Sequence, residues 1–402
     1  MNTQEYHKKA LIIREKIHGE EHADVAASYD NLGNVYSSLE QYDQAKEYDE
    51  KALYIRKKIL GEEHADVATS YYNLGNDHYY LEQYNQAKEY DKKALYIRKK
   101  ILGEEHADVA TSYNNLGNDH RRLGQYNQAK EYDEEALYIR KKILGEEHAD
   151  VATSYNNLGN DHRCLGQYNQ AQEYHEKALY IRKKILGEEH ADVATSYYNL
   201  GNDHYYLEQY NQAKEYDEKA LYIRKKILGE EHADVATSYN NLGNDHRRLG
   251  QYNQAKEYDK KALYIRKKIL GEEHADVATS YNNLGNDHRR LGQYNQAKEY
   301  DEKALYIRKK ILGEEHADVA TSYNNLGNDH RRLGQYNQAK EYDEKALYIR
   351  KKIHGEEHAD VAKSYDNLGN VLSDLEQYDQ AQEYHKKVLI IRKEIMVRNM
   401  LM

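Results

Sequence analysis

The chain is 402 residues long and carries 43 tyrosines but no proline, phenylalanine or tryptophan, a skew that arises when one short unit is copied many times. With 39% hydrophobic and 32% charged residues it offers no apolar run near the ~18 residues of a membrane-spanning helix, and its formal charge of −10 argues against generic nucleic-acid binding. A lone cysteine, Cys164, excludes an intrachain disulfide, and the amino terminus lacks an apolar signal-peptide core, so a cytoplasmic location is expected.

In chain order, residues 1–18 predict a lone helix over 4–17, without a partner of its own. The string GEEHADVA then opens with Gly19 and returns at Gly61, Gly103, Gly145, Gly187, Gly229, Gly271, Gly313 and Gly355, a fixed step of 42. The nine units are 19–60, 61–102, 103–144, 145–186, 187–228, 229–270, 271–312, 313–354 and 355–396, with 397–402 left as a short tail. A period of this length marks stacked supersecondary units, each burying its apolar face on a neighbour. Both outer units read SYDNLGNV where inner units read LGND, which fits capping of the two ends.

Within the unit from Gly103, Val109, Tyr113, Leu116, His120 and Leu123 recur at steps of 3 or 4 and form one stripe of a first helix. Asp108 sits in its first turn, where the helix dipole favours a carboxylate. Ala129, Tyr132, Ala136, Ile139 and Ile143 form the stripe of a second helix, which ends on Arg140, Lys141 and Lys142 before a left-handed Gly145. Each unit is therefore a pair of antiparallel helices joined by a short turn near Gly124-Gln125, and strand patterning is absent.

Leu116-Gly117, Tyr126, Ala129 and Ala136-Leu137 stand at the spacing of the tetratricopeptide signature, and the chain resembles that family over nearly its whole length. The unit with IRKKILGEEHADVATSYNNLG looks like the 42-residue variant of kinesin light chains and nephrocystin-3-like proteins. The resemblance implies an all-α, right-handed α-solenoid, a superhelix of antiparallel helix pairs. Three positions depart from the family pattern: its proline is Ala107, its first-helix aromatic is His120, and its second aromatic in the second helix is Asp133 or His175. These exchanges are expected to weaken packing without changing the architecture.

No residue set points to catalysis, because every candidate group recurs with the repeat. GEEHAD reads as a turn with a helix-start Asp rather than a metal site, since ligands must converge on one point. Asp119-His120 is not a directed acid–base pair, as neighbours on a helix point about 100° apart; His120 is expected in the core. Cys164 stands where other copies have Arg122 or Arg248, a drifted surface position. No enzyme activity, cofactor or metal is expected.

Binding is better supported. The resemblance implies that first helices line a concave face, and that asparagines there hold the main chain of an extended peptide, a task suited to an amide with both a donor and an acceptor. Those positions are Asn73 and Asn76, Asn115 and Asn118, Asn199 and Asn202, Asn241 and Asn244, Asn283 and Asn286, and Asn325 and Asn328. Next to them the copies vary: Tyr79-Tyr80 and Tyr205-Tyr206 in two units, Arg121-Arg122, Arg247-Arg248, Arg289-Arg290 and Arg331-Arg332 in others. Such a strip suits an acidic segment with an aromatic or apolar anchor, and on this reading Glu at 289 and 290 leaves folding nearly unchanged. The alternative is a solvated arginine pair, with Asp245 bridging locally to Arg248. The expected function is a non-enzymatic scaffold for protein or peptide partners, with no nucleic acid, membrane insertion or small-molecule substrate. The alternatives are the sensor or cargo-binding arm of a larger signalling or motor-adaptor protein, or a designed or structural array with no natural partner.

Overall fold

The structure, a computed structural model, describes residues 3–401, with side chains through Arg398. Its contacts divide it into two compact units, one up to Leu207 and one from Glu208 onward. In the first, α1 (Thr3–His18) precedes α2 (Ala23–Ser38) and α3 (Tyr42–Leu60), α4 (Ala65–Tyr80) and α5 (Tyr84–Leu102), α6 (Ala107–Arg122) and α7 (Tyr126–Leu144), α8 (Ala149–Cys164) and α9 (Tyr168–Leu186), and α10 (Ala191–Tyr206). In the second, α11 (Tyr210–Leu228) is followed by α12 (Ala233–Arg248) and α13 (Tyr252–Leu270), α14 (Ala275–Arg290) and α15 (Tyr294–Leu312), α16 (Ala317–Arg332) and α17 (Tyr336–His354), and α18 (Ala359–Asp374) and α19 (Tyr378–Leu401). There is no strand among the described residues, and within each unit consecutive helices pack antiparallel. Helix α19 continues through residues expected to form a tail, because no glycine or proline interrupts the sequence after Tyr378.

Each helix pair is bound to the one before it by shared apolar side chains. Val235, Ala236 and Tyr239 of α12 close on Ala262 and Ile265 of α13, and Leu221 of α11 packs into the same cluster. Leu242 and Leu284 are wholly buried, each contributing roughly 2–3 kcal/mol by leaving water. The close crossing of the two helices rests on small residues: a Cβ added at Gly285 of α14 would come within 2.7 Å of the Asp301 carboxylate on α15. The family's aromatic is thus replaced by a short acid seated against a bare backbone. Buried Asp133, Asp259 and Asp301 are part of the packing, not a defect on its edge.

The GEEHAD turn is explained by helix ends. Gly103 closes α5 at φ 83 and ψ 167, a combination essentially reserved for glycine. His106 then caps α6, its Nδ1 accepting the Asp108 amide at 3.1 Å. The second turn likewise needs positive φ: Gly124 holds 73°, while Glu82 is forced to 60° at the same place. Where the family has proline, Ala107 occupies the first helical position, whose amide has no acceptor within the helix, after an extended His106 at φ −97 and ψ 150. Ala107→Pro should therefore raise stability by about 0.4–1 kcal/mol, read as an upward shift in the thermal midpoint; a downward shift would mean that α6 starts differently.

Candidate functional site

The exposed faces and inner edges of the first helices hold the candidate residues. The arginine pairs do not act as pairs. Arg289 turns inward: its Nε donates to Asp329 Oδ1 at 2.6 Å, its Nη2 to Asp301, and its Nη1 to Asn286 Oδ1 at 2.7 Å. Arg121 makes the same bonds to Asp161, Asp133 and Asn118, and Arg247 to Asp287, Asp259 and Asn244. The carboxylates are at most 1% exposed, so each guanidinium clamps an acid of its own repeat to an acid of the next. The expectation that Glu at 289 leaves folding nearly unchanged is thereby overturned, because that side chain closes a buried joint. Arg331 differs, since Val371 stands where the next acid would be; it reaches Asp374 at 2.5 Å and stays partly exposed.

The second residue of each pair points outward. Arg122, Arg248, Arg290 and Arg332 are exposed. Arg122 lies over the Tyr84 ring at 5.0 Å and donates to its hydroxyl at 3.0 Å, and Arg248 lies over Tyr210 at 5.1 Å. Tyr80 and Tyr206 stack in the corresponding manner on Tyr42 and Tyr168, at 4.7 and 4.9 Å. The local bridge between Asp245 and Arg248 does not occur, because Asp245 is buried. Tyr79 sits half-buried, edge-on to Tyr84 at 5.5 Å, and Tyr205 edge-on to Tyr206 at 5.9 Å.

The asparagines link repeats to each other. Asn115 donates to Asn76 Oδ1 at 3.0 Å, Asn73 to Asp30 at 3.1 Å, Asn199 to Asn156 at 2.8 Å, Asn283 to Asn240 at 3.0 Å and Asn325 to Asn282 at 2.9 Å. Asn202, Asn241 and Asn328 are half-buried at equivalent places. In the first repeat, where the pair is Ser37-Ser38, Asn31 and Asn34 line an open cleft of about 470 Å³ between α1 and α2, with Gln4, His7, Val35 and Leu39.

Where tyrosine or serine replaces the inner arginine, the buried acids lack its guanidinium. Asp91 and Asp119 lie within hydrogen-bonding reach; burial, and then the charge of Asp91, pushes Asp119 up to about 9, while burial brings Asp91 to about 7. Asp217 with Asp245, and Asp49 with Asp77, behave alike. Burial raises the arginine-clamped Asp133, Asp259 and Asp301 as well, with their guanidiniums pulling the other way. In one joint His175, wholly buried, pairs through Nδ1 with Asp203, and Arg163 stands 3.7 Å from that carboxylate. His120 packs on Tyr132 at 5.1 Å, a core residue as its stripe position implied. The sequence reading missed the acids, although Asp133 sits on the buried stripe, between Ala129 and Ala136.

A tetratricopeptide repeat family profile matches nine overlapping windows, residues 2–58, 31–100, 66–142, 108–184, 150–226, 192–268, 234–310, 276–347 and 318–394. No curated protein matches the chain. The structure is similar to a signal-transduction ATPase with a tetratricopeptide repeat sensor from Pyrococcus horikoshii, at 16% identity and TM-score 0.67 over 96% of this chain and 56% of that one. It is also similar to the apo quorum sensor NprR from B. thuringiensis, at 15% identity and TM-score 0.65 over 94% and 99% of the two chains. A kinesin light chain-like protein with nearly identical repeats from Podosopora anserina is 27% identical, with TM-score 0.47 over 52% and 99%. At these identities the first two matches speak for the fold alone, and no helix among the described residues is long and apolar enough to cross a membrane.

Proposed function

The chain belongs to the tetratricopeptide repeat family, and from that premise we propose that it is a non-enzymatic cytoplasmic scaffold that holds extended segments of partner proteins along its first helices. The observation that carries this reading is the cleft in which Asn31 and Asn34 stand open beside Val35 and Leu39, amides next to an apolar floor. Amides suit a peptide main chain and the floor suits a side-chain anchor. The outward Arg248, Arg290 and Arg332, at 42-residue intervals, favour a partner segment with acidic residues. Arg247 and Arg289 are engaged by buried carboxylates, which supports a recognition strip carried there by the outer arginine alone.

The test is a selection of extended peptides on the whole chain, followed by titration against Arg248→Glu/Arg290→Glu/Arg332→Glu, which leaves Arg247, Arg289 and Arg331 in place. Binding of an acidic peptide should weaken at least tenfold in the variant and fall with salt, since exposed charges are screened over ~8 Å at physiological ionic strength. Helix content and thermal midpoint should stay within the roughly 0.5 kcal/mol of ordinary surface changes. Equal binding to the variant and in high salt would remove the arginines from the site, and failure to select any peptide would remove the scaffold reading itself.

A further inference from the structure

Seven of the nine GEEHAD turns follow a leucine, such as Leu60 or Leu312, and two follow a histidine, His18 and His354. The exchange completes a set of three donors that the other seven turns lack. His18 is the last residue of α1, Gly19 turns the chain at φ 81, His22 caps α2, and Asp24 lies in its first turn. The two imidazoles stack with centroids 4.3 Å apart. His18 Nε2 and His22 Nδ1 each stand 3.6 Å from Asp24 Oδ2, and all three donors lie within 4.8 Å of one another. The same geometry recurs where α17 ends and α18 begins: His354 and His358 stack at 4.2 Å, His358 Nδ1 is 3.6 Å from Asp360 Oδ2, and the set again falls within 4.8 Å.

We propose that these two turns, 18–24 and 354–360, bind a divalent transition-metal cation, each through two histidines and one aspartate. Metal–donor bonds of about 2.0–2.2 Å in a tetrahedral site set donors roughly 3.3–3.6 Å apart, so two edges of the first site and one of the second are already within a few tenths of an ångström. The remaining edges close by rotation of half-exposed imidazoles. A nitrogen-nitrogen-oxygen set selects Zn²⁺, Ni²⁺ or Cu²⁺ over Mg²⁺ and Ca²⁺, which take oxygen. Three protein donors leave a fourth position for water or for a donor from a partner. The lone pair that His22 uses toward the Asp24 amide is the one it gives the metal, so loading exchanges a helix cap for a metal bond. The two sites lie in separate units, each complete in itself, and they stand apart from the peptide reading.

Leucine is the residue that seven repeats carry at this place, so His18→Leu and His354→Leu are variants whose local fold the protein already contains. The experiment titrates the full chain with Zn²⁺ by calorimetry and with Co²⁺ by visible absorption, beside both single variants and the double. The expected result is two equivalents of Zn²⁺ in the original chain beyond those in the double variant, one lost with each single change, and intense tetrahedral Co²⁺ bands that vanish in the double variant. Asp24→Asn should weaken one site at least tenfold and leave the other unchanged. If the double variant binds Zn²⁺ with the same stoichiometry and affinity, binding comes from scattered exposed histidines and the proposal fails. It fails equally if the original chain takes up no Zn²⁺ at micromolar concentration, in which case His18 and His354 only complement the negative ends of α1 and α17.

Discussion

Replacing Arg289 with methionine is expected to destabilise the protein by about 3 kcal/mol at pH 8 and by clearly less at pH 5, whereas Arg290→Met should cost no more than roughly 0.5 kcal/mol at either pH. The two side chains are adjacent, yet one is enclosed by Asp301, Asp329 and Asn286 and the other is exposed. Removing the inner guanidinium leaves two buried acids facing one another without their hydrogen-bonded counter-charge, the situation in which breaking a buried pair is most costly. The dependence on pH follows from the rest of the chain. Where Tyr79 takes the arginine's place, Asp91 and Asp119 persist by binding protons, with Asp119 at about 9 and Asp91 at about 7. Acid therefore supplies to the Arg289 variant what the guanidinium supplied before. Urea titration followed by circular dichroism, with hydrogen exchange in α15 and α16 for local opening, measures both effects. Equal losses for the two arginine variants would mean that the buried clamp does not form.

The second large effect needs no mutation. Asp49 and Asp77, Asp91 and Asp119, and Asp217 and Asp245 all titrate above their ordinary value of 3.8 in the folded chain, near 7 for one member of each pair and near 9 for the other, with burial the leading cause. A carboxyl whose folded pKa is raised binds its proton more tightly in the native state. Its contribution is complete below about pH 4, declines as pH rises, and is lost once pH passes the folded value. The thermal midpoint should fall from pH 5 to about pH 9, most steeply below 7, where both members of each pair hold protons that the unfolded chain has lost, and about half as steeply between 7 and 9. Asp91→Asn combined with Asp217→Asn should flatten that fall, because an amide donates a hydrogen bond to the remaining carboxylate at every pH. A midpoint that is level or rises over this range would show that the pairs hold no extra protons.

The helices were legible because their period is carried by residues whose preference is unambiguous: Val109, Leu116, Ala129 and Ile139 are all buried as their spacing requires. Helix ends were nearly as clear from Gly103 and Asp108, though His106 as the cap was not, since histidine is not among the usual capping residues. The site was harder. Asp133 falls on the apolar stripe, but a carboxylate there reads as a weakness until the opposing glycine and the incoming guanidinium are known to meet it in space. Arg121 and Arg122 were indistinguishable in sequence because both vary together; only the 100° between neighbouring residues on a helix sends one inward to Asp161 and the other out to Tyr84. His18 was passed over for the opposite reason. The nine turns share GEEHAD, and the residue that distinguishes two of them stands just before that string.

The joint that Arg289 closes is divided between repeats: the arginine and Asp301 come from one, and Asp329 from the next. Every first helix from α4 to α16 offers an acid at the Asp329 position, and α18 alone, with Val371, does not, apart from α2 with Val35. If tandem copies recombine out of register and a 42-residue block such as 271–312 is excised, Arg247 and Asp259 meet Asp329 in place of Asp287, and no carboxylate is stranded. Duplication of the same block is equally silent. Copy number can therefore change by whole repeats between α4 and α16 while each such junction keeps an acid to meet the preceding arginine.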